Sequence, residues 1–148
     1  MSNYIRITKE FDFEMAHALD FHEGKCKNIH GHSYKLGVTL IGIPKENKNS
    51  DAGMVMDFGE LKSIVKELIV DKLDHALVLH KDSAYYSDNI KKLTQKLVLV
   101  DYQPTCENML LDFKEILKNT LPQDIKLLHL KLRETATGYA EWFAEDNS

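Results

Sequence analysis

Three histidines and a cysteine near the N-terminus have the types and spacing of a metal site. The stretch "CKNIHGHSY" starts at Cys26 and contains His30 and His32 one residue apart, and "FDFEMAH" ends at His17. Alternate side chains of a strand project from one face, so His30 and His32 can contact a single ion. Three imidazoles are a typical set of zinc ligands in catalytic sites, where the fourth position stays open for a reactant. The spacing therefore indicates a Zn²⁺ site formed by His17, His30 and His32.

Two alternatives stay open at this point. Cys26, four residues before His30, could close the site as a fourth ligand, or it could stand beside the metal as a base or nucleophile. The histidine pair could also be half-buried and hydrogen-bonded without any ion. Cys26 and the second cysteine, Cys106, are both expected to be free thiols, because a cytosolic chain of this size needs no disulfide.

The elements that carry the histidines are predicted by the alternation of apolar and polar residues. In the first strand, Phe11, Phe13 and Met15 share a face with His17. In the second strand, which runs through "HGHSYKLGVTLIGI", His30 and His32 share the face of several large apolar residues. All three imidazoles are therefore expected to point towards the core.

Two helices and a hairpin follow these strands. The first helix begins at Asp57, which stands in capping-box spacing with Glu60, and the second begins at Thr105 and ends before Pro122. The segments "DIKLLHLKLRE" and "GYAEWFA", joined by "TATG", predict an antiparallel hairpin. "LVLVDY" is expected to be a short extended run, and residues 80–96 a surface excursion. The chain is predicted to be one α+β domain, 1–148, with a ββααββ order, a four-stranded antiparallel sheet and two helices on one face.

Composition limits the partners of this domain. Of 148 residues, 43% are hydrophobic and 28% charged, and the net charge is −4. No basic run supplies the attraction on which nucleic-acid binding depends, so no nucleic-acid partner is expected. No apolar run approaches a membrane span, and no signal segment opens the sequence, so we expect no membrane partner and a cytoplasmic location. The open edges of the predicted sheet favour a homo-oligomer.

Six motifs in order give the chain a family resemblance. "FEMAH" and "CKNIHGH" are followed by "GMVMDFGELK", "LDHALV", "PTCEN" and "RETATG". Together they resemble the 6-pyruvoyltetrahydropterin synthase and 6-carboxytetrahydropterin synthase family. The resemblance implies a tunnelling fold (T-fold), in which the sheets of three subunits close a barrel and two trimers stack into a hexamer.

The resemblance also implies roles for single residues. It implies zinc at the three histidines and makes Cys26 a general base rather than a ligand. Asp74 and His75 would be its partnering dyad, often contributed by a neighbouring subunit. Glu134 would anchor the pterin, with the help of Thr105 and Glu107.

Some of these residues have simpler explanations. Glu134 shares the strand parity of Leu130 and two other leucines, so it is expected on an apolar face where an unpaired carboxylate is costly, but it could be a surface residue at a strand end. Glu107 could simply interact with a helix dipole. Lys25 and Lys27 could meet a triphosphate or be solvated, and Cys106 is expected to be a small buried residue at a helix start.

The spacing of Cys26 and His30 resembles the 6-carboxytetrahydropterin synthases of queuosine biosynthesis. The resemblance thus implies conversion of 7,8-dihydroneopterin triphosphate to 6-carboxy-5,6,7,8-tetrahydropterin, acetaldehyde and triphosphate. The alternatives are a lyase that forms the 6-pyruvoyl product, and a zinc- or pterin-binding protein without turnover. A generic zinc hydrolase is disfavoured because no HExxH-type glutamate is present.

Overall fold

A single six-stranded sheet organises the computed structural model, which describes residues 2–148. The strands are β1 (Ile5–His17), β2 (His30–Gly42), β3 (Ala76–His80), β4 (Leu97–Val100), β5 (Lys126–Arg133) and β6 (Tyr139–Phe143), and their order across the sheet is β4-β3-β1-β2-β5-β6. β1, β2, β5 and β6 are antiparallel neighbours, whereas β3 is parallel to β1 and β4 is parallel to β3.

The two predicted helices begin where the sequence places them, and the structure adds shorter helical segments. The helices are α1 (Phe58–Val65), continued by a π-helical turn (Lys66–Val70) and α2 (Asp71–Leu73), then α3 (Asp88–Leu93) and α4 (Cys106–Lys118), with 3-10 turns over Lys25–Lys27 and Ala144–Asn147. The Asp57 carboxylate accepts from the backbone N–H of Gly59 at 2.6 Å, and the Thr105 hydroxyl accepts from that of Asn108 at 3.1 Å. Both predicted N-caps are therefore confirmed.

The prediction of a four-stranded antiparallel sheet is wrong in its strand count. The four long strands form that sheet, but β3 and β4 extend it beyond β1 in parallel. β4 is the short extended run expected at "LVLVDY", but at five and four residues both strands are too short for periodicity to place them in the sheet. Residues 76–79 of β3 are all buried, because this strand is paired on both sides and covered on both faces.

The main core lies between the sheet and the two long helical segments. Phe13 and Tyr34 stack there at 5.1 Å between ring centroids, and Phe113 of α4 is also buried in this core. The short helix α3 packs elsewhere: its Ile90 joins a smaller cluster with Leu77 and Leu79. These two leucines alternate along β3 with residues of the main core, so α3 covers the opposite face. The two predicted helices lie on one face, as expected, and α3 is an additional helix that the sequence does not predict.

A β-bulge changes the predicted face of one residue in β5. The register between β2 and β5 shifts between Thr39 and Leu40. As a result Leu127, not Leu128, joins the core on the far side of the bulge, whereas Leu130 and Leu132 are buried as predicted. Glu134, beyond the bulge, keeps the parity of Leu130 and Leu132. Within residues 2–148, no helix is both long and apolar enough to cross a membrane.

Candidate metal site and its neighbouring thiol

The imidazoles of the three predicted ligands converge where β1 ends and β2 begins. His17 and His30 are cross-strand partners, and His32 pairs with Met15 two residues along. The Nε2 atoms of His17 and His30 are 3.1 Å apart, and one ligand atom from each histidine lies within 4.8 Å of the others. In tetrahedral coordination with zinc–nitrogen bonds of 2.0–2.1 Å, two ligand nitrogens are about 3.3 Å apart. The predicted cluster is thus confirmed as a group that can hold a metal ion.

Backbone carbonyls orient two of the rings. The Nδ1–H of His17 donates to the carbonyl oxygen of Pro104 at 2.8 Å, and that of His30 donates to the carbonyl oxygen of Asn28 at 2.6 Å. Each bond leaves the Nε2 lone pair free, which is the usual arrangement of a metal-ligating histidine. The Nε2 of His32 is buried and finds no hydrogen-bond partner among residues 2–148, so an ion in the cluster would satisfy it.

Burial favours the neutral form of two of the ligands. It lowers the pKa of His17 and of His32, and in both cases it outweighs the negative charge of Glu134, which acts in the opposite direction. Neutral imidazole is the form that binds a metal. The free protein therefore presents His17 and His32 in the form that an ion requires.

The Glu134 carboxylate faces the histidine cluster. Its Oε1 is 3.6 Å from the Nε2 of His17 and 3.7 Å from that of His32, and the Tyr34 hydroxyl donates to it at 3.3 Å. Burial, followed by the charge of Glu134, strongly raises the pKa of Tyr34, so the phenol stays protonated and remains a donor. Tyr34 was not among the predicted site residues, although its parity in β2 is that of His32. The Glu134 side chain is 28% exposed, which leaves its carboxylate accessible to a ligand.

Cys26 lies beside this cluster and not within it. It is a half-buried free thiol in the 3-10 turn between β1 and β2, and its carbonyl accepts from the backbone N–H of Leu19 at 2.9 Å. This turn joins the end of β1 that carries His17 to the start of β2 that carries His30 and His32. The group of potential ligands within residues 2–148 contains the three histidines without Cys26. This geometry favours a thiol next to the metal over a fourth ligand.

Asp74 and His75 form the predicted pair, but across the sheet from the histidines. Asp74 Oδ1 is 3.1 Å from His75 Nδ1 and accepts from the backbone N–H of Glu14 at 2.8 Å, and this second bond is the main cause of the lowered pKa of Asp74. His75 has a positive φ of 62° and a 77% exposed side chain. It lines a cavity of about 530 Å³ together with Glu14 and Ser33, which project from the face opposite to His17, and His32 also contributes to the lining. Glu14 and Ser33 thus place the pair towards the face of the sheet opposite to His17.

The remaining predicted residues lie at the start of α4. The Thr105 hydroxyl caps this helix, and Glu107 is exposed in its first turn. The Cys106 thiol is buried and donates to the carbonyl oxygen of Leu132 at 3.0 Å, and burial raises its pKa to about 12. The prediction of Cys106 as a packing residue with a free thiol is confirmed.

The fold and the cluster together define a class of protein. The crystal structure of an uncharacterized protein from Wolinella succinogenes matches with a TM-score of 0.78 at 22% identity and covers 97% of this chain and 99% of that one. The structure of Caenorhabditis elegans 6-pyruvoyl tetrahydropterin synthase matches with a TM-score of 0.68 at 23% identity and covers 97% of each chain. The chain is thus a tunnelling-fold protein with a three-histidine cluster able to hold a metal, as the motifs predict.

Sequence comparison identifies the family. The family model described as 6-pyruvoyl tetrahydropterin synthase matches residues 6–145. A protein of Haemophilus influenzae named 6-carboxy-5,6,7,8-tetrahydropterin synthase is 38% identical over 93% of this chain and 97% of its own length. A protein of the same name from Rickettsia typhi is 34% identical over 93% of this chain and 99% of its own. The chain belongs to the 6-pyruvoyl tetrahydropterin synthase family.

Proposed function

We propose that the chain is a zinc-dependent 6-carboxy-5,6,7,8-tetrahydropterin synthase that acts as one domain in queuosine (7-deazaguanine) biosynthesis. Its substrates would be 7,8-dihydroneopterin triphosphate and water, and its products 6-carboxy-5,6,7,8-tetrahydropterin, acetaldehyde and triphosphate. The observation that carries the proposal is that relatives with this name match nearly the whole chain at up to 38% identity. The intact imidazole cluster supports it.

The donor set fits zinc with a position open for a reactant. Three imidazoles, with no thiolate among them, are a ligand set of catalytic rather than structural zinc sites. When bound, zinc would polarise the side-chain hydroxyls of the substrate and so reduce the cost of removing a neighbouring C–H proton. Pro104 and Asn28, through their carbonyls, hold His17 and His30 with the Nε2 atoms turned inward.

In this proposal the Cys26 thiolate takes the proton from the substrate side chain. The thiol lies in the turn between the two histidine-bearing strands and outside the group of potential ligands, so it is free to act as a general base. Loss of such a base typically reduces turnover by about 10²- to 10⁴-fold. We expect Cys26→Ala to have that effect while it retains zinc, and a loss of zinc would instead make Cys26 a ligand.

Glu134 would anchor the pterin. The amino-oxo-pyrimidine edge of the substrate presents an N–H and an NH₂ side by side, which one carboxylate can accept together. The Glu134 carboxylate faces the cluster and receives one long hydrogen bond from Tyr34, so it has acceptor capacity left for the ligand. Thr105 and Glu107, at the start of α4, would assist from the loop that holds His17 through Pro104.

The proposed site needs a second chain. Asp74 orients the His75 ring, but both lie towards the face of the sheet opposite to His17, so they would serve the thiol of a neighbouring subunit. The edge strands β4 and β6 have no partner on their outer sides within residues 2–148, which leaves them free to pair between subunits. We propose the hexamer of two stacked trimers that the family resemblance implies.

Product analysis tests this proposal. Purified zinc-loaded protein is incubated with 7,8-dihydroneopterin triphosphate, and acetaldehyde, triphosphate and the pterin products are quantified, with Cys26→Ala as the control. The proposal predicts acetaldehyde and the 6-carboxy product. The second candidate is the synthase that forms the 6-pyruvoyl product, which is favoured by the name of the Caenorhabditis elegans neighbour and predicts triphosphate without acetaldehyde. Zinc retention without any turnover would indicate a binding protein.

A further inference from the structure

Hydrogen bonds connect both ends of the loop that carries Cys26 to one segment, residues 80–86. At its start, the Asp20 carboxylate accepts from the Ser83 hydroxyl at 2.7 Å and from the backbone N–H of Ala84 at 2.8 Å. At its end, the Tyr85 hydroxyl donates to the carbonyl oxygen of Lys27 at 3.1 Å. Lys27 is the residue next to Cys26, so this last bond acts on the peptide that directly follows the thiol.

The segment 80–86 is in turn hydrogen-bonded to the sheet. It directly follows β3, and the backbone N–H of Lys81 donates to the carbonyl oxygen of Val100 in β4 at 2.8 Å. Ser83 is only 6% exposed, and its hydroxyl accepts from the backbone N–H of Tyr85 at 3.1 Å. Asp20 and Tyr85 thus connect the loop to a hydrogen-bonded support rather than to a free surface turn.

The other hydrogen bonds around Cys26 are backbone bonds within the same loop. Lys27 donates from its backbone N–H to the carbonyl oxygen of Gly24 at 3.1 Å, and the Cys26 carbonyl binds Leu19 at the start of the same loop. Asn28, one residue beyond Lys27, accepts the bond that orients His30. A shift at Lys27 would therefore move the thiol relative to the cluster.

We propose that Asp20 and Tyr85 are positioning residues that fix the Cys26 thiol beside the three-histidine cluster. Their effect on turnover rests on the proposed function, because it requires Cys26 to be the base. Proton transfer needs the base within hydrogen-bond reach of the proton it removes, and small displacements of catalytic groups are costly. The segment at 80–86 would then serve the chemistry without contact with the substrate.

The variant Tyr85→Phe tests the inference, because it removes one hydroxyl and keeps the ring. Tyr86→Phe is the matched control: its ring lies 5.1 Å from the Lys91 ammonium, and its hydroxyl makes no hydrogen bond within residues 2–148. For Tyr85→Phe we expect kcat to fall about 3- to 10-fold, the effect of one net hydrogen bond. KM and zinc content should stay at the wild-type values, and Tyr86→Phe should match the wild type throughout.

A second measurement needs no substrate. The rate at which iodoacetamide alkylates Cys26 reports the exposure of the thiol, and local loosening of the loop should raise that rate about 3- to 10-fold in Tyr85→Phe. Asp20→Asn should act in the same direction, since an amide oxygen is a weaker acceptor than a carboxylate. If the protein proves to have no synthase activity, the proposed function fails, but the alkylation rates still decide whether these residues fix the thiol.

Two results would overturn the inference. One is a Tyr85→Phe protein with the kcat and alkylation rate of Tyr86→Phe. The other is a protein with a lower Tm and less zinc whose kcat per bound zinc is unchanged, which would make Tyr85 a purely structural residue.

Discussion

Two inactive variants mixed together test whether each reaction site is built from two chains. Cys26→Ala removes the proposed base, and His75→Ala removes the imidazole that Asp74 orients at 3.1 Å. In the structure His75 lies across the sheet from the histidine cluster. Either variant alone lacks one group in every site, so we expect each homo-oligomer to be inactive.

Mixed oligomers should recover a defined part of the activity. A site is complete only when the chain that supplies the thiol is His75→Ala and the chain that supplies the imidazole is Cys26→Ala. With equal amounts and random assembly, each condition holds for half of the positions, so about one quarter of the sites are complete. Acetaldehyde release from co-expressed, doubly tagged oligomers should therefore reach about a quarter of the wild-type rate per chain.

The controls make the result decisive. Wild-type chains mixed equally with Cys26→Ala should give about half of the wild-type rate, since only the source of the thiol then matters. Equal zinc content in all samples excludes a metal effect. A mixture of the two variants that is no more active than its components would refute the shared site and show that the thiol and the dyad do not meet across chains.

Further predictions concern single residues. Glu134→Ala should weaken binding of a pterin about 10- to 100-fold, the value of a charge-assisted bidentate pair, while zinc content stays unchanged; equal affinity by calorimetry would contradict the anchor role. At pH 8, iodoacetamide should modify Cys26 rapidly and Cys106 only on unfolding, because burial raises the pKa of Cys106 to about 12. Mass spectrometry of digests measures the order of modification, and faster modification of Cys106 would contradict this prediction. The hydrogen bond from Glu14 lowers the pKa of Asp74 in the folded protein, so ionised Asp74 stabilises the fold above about pH 4, its usual value, and this contribution is lost as the pH falls. In Asp74→Asn, the free energy of unfolding measured with urea should therefore decrease less with falling acid pH than in the wild type. An unchanged pH dependence of this free energy would contradict the role given to Asp74.

The part of the site that could be predicted from sequence depends on strand periodicity. His17, His30 and His32 share a face with large apolar residues in strands of 13 residues each, so the convergence of their rings follows from the pleat and the pairing of β1 with β2. The caps at Asp57 and Thr105 are equally local, since each side chain binds a backbone N–H two or three residues away.

The parts that could not be predicted depend on contacts distant in sequence. The parallel pairing of β3 with β1 places His75 across the sheet from His17, and no local pattern in "LDHALV" signals it. The bulge at Leu128 shifts the parity of β5 through the register with β2. The bond from Tyr85 to Lys27 joins residues 58 positions apart, in a segment whose sequence shows only weak periodicity.

X-ray absorption of the zinc-loaded protein tests the central claim most directly. Three imidazoles that bind one ion, with a thiol beside it, predict nitrogen scatterers from three histidines at about 2.0–2.1 Å and one further light atom, with no sulfur near about 2.3 Å. The spectrum should be unchanged in Cys26→Ala. A sulfur shell in the wild-type protein that disappears in this variant would make Cys26 a ligand, close the open position and contradict the account.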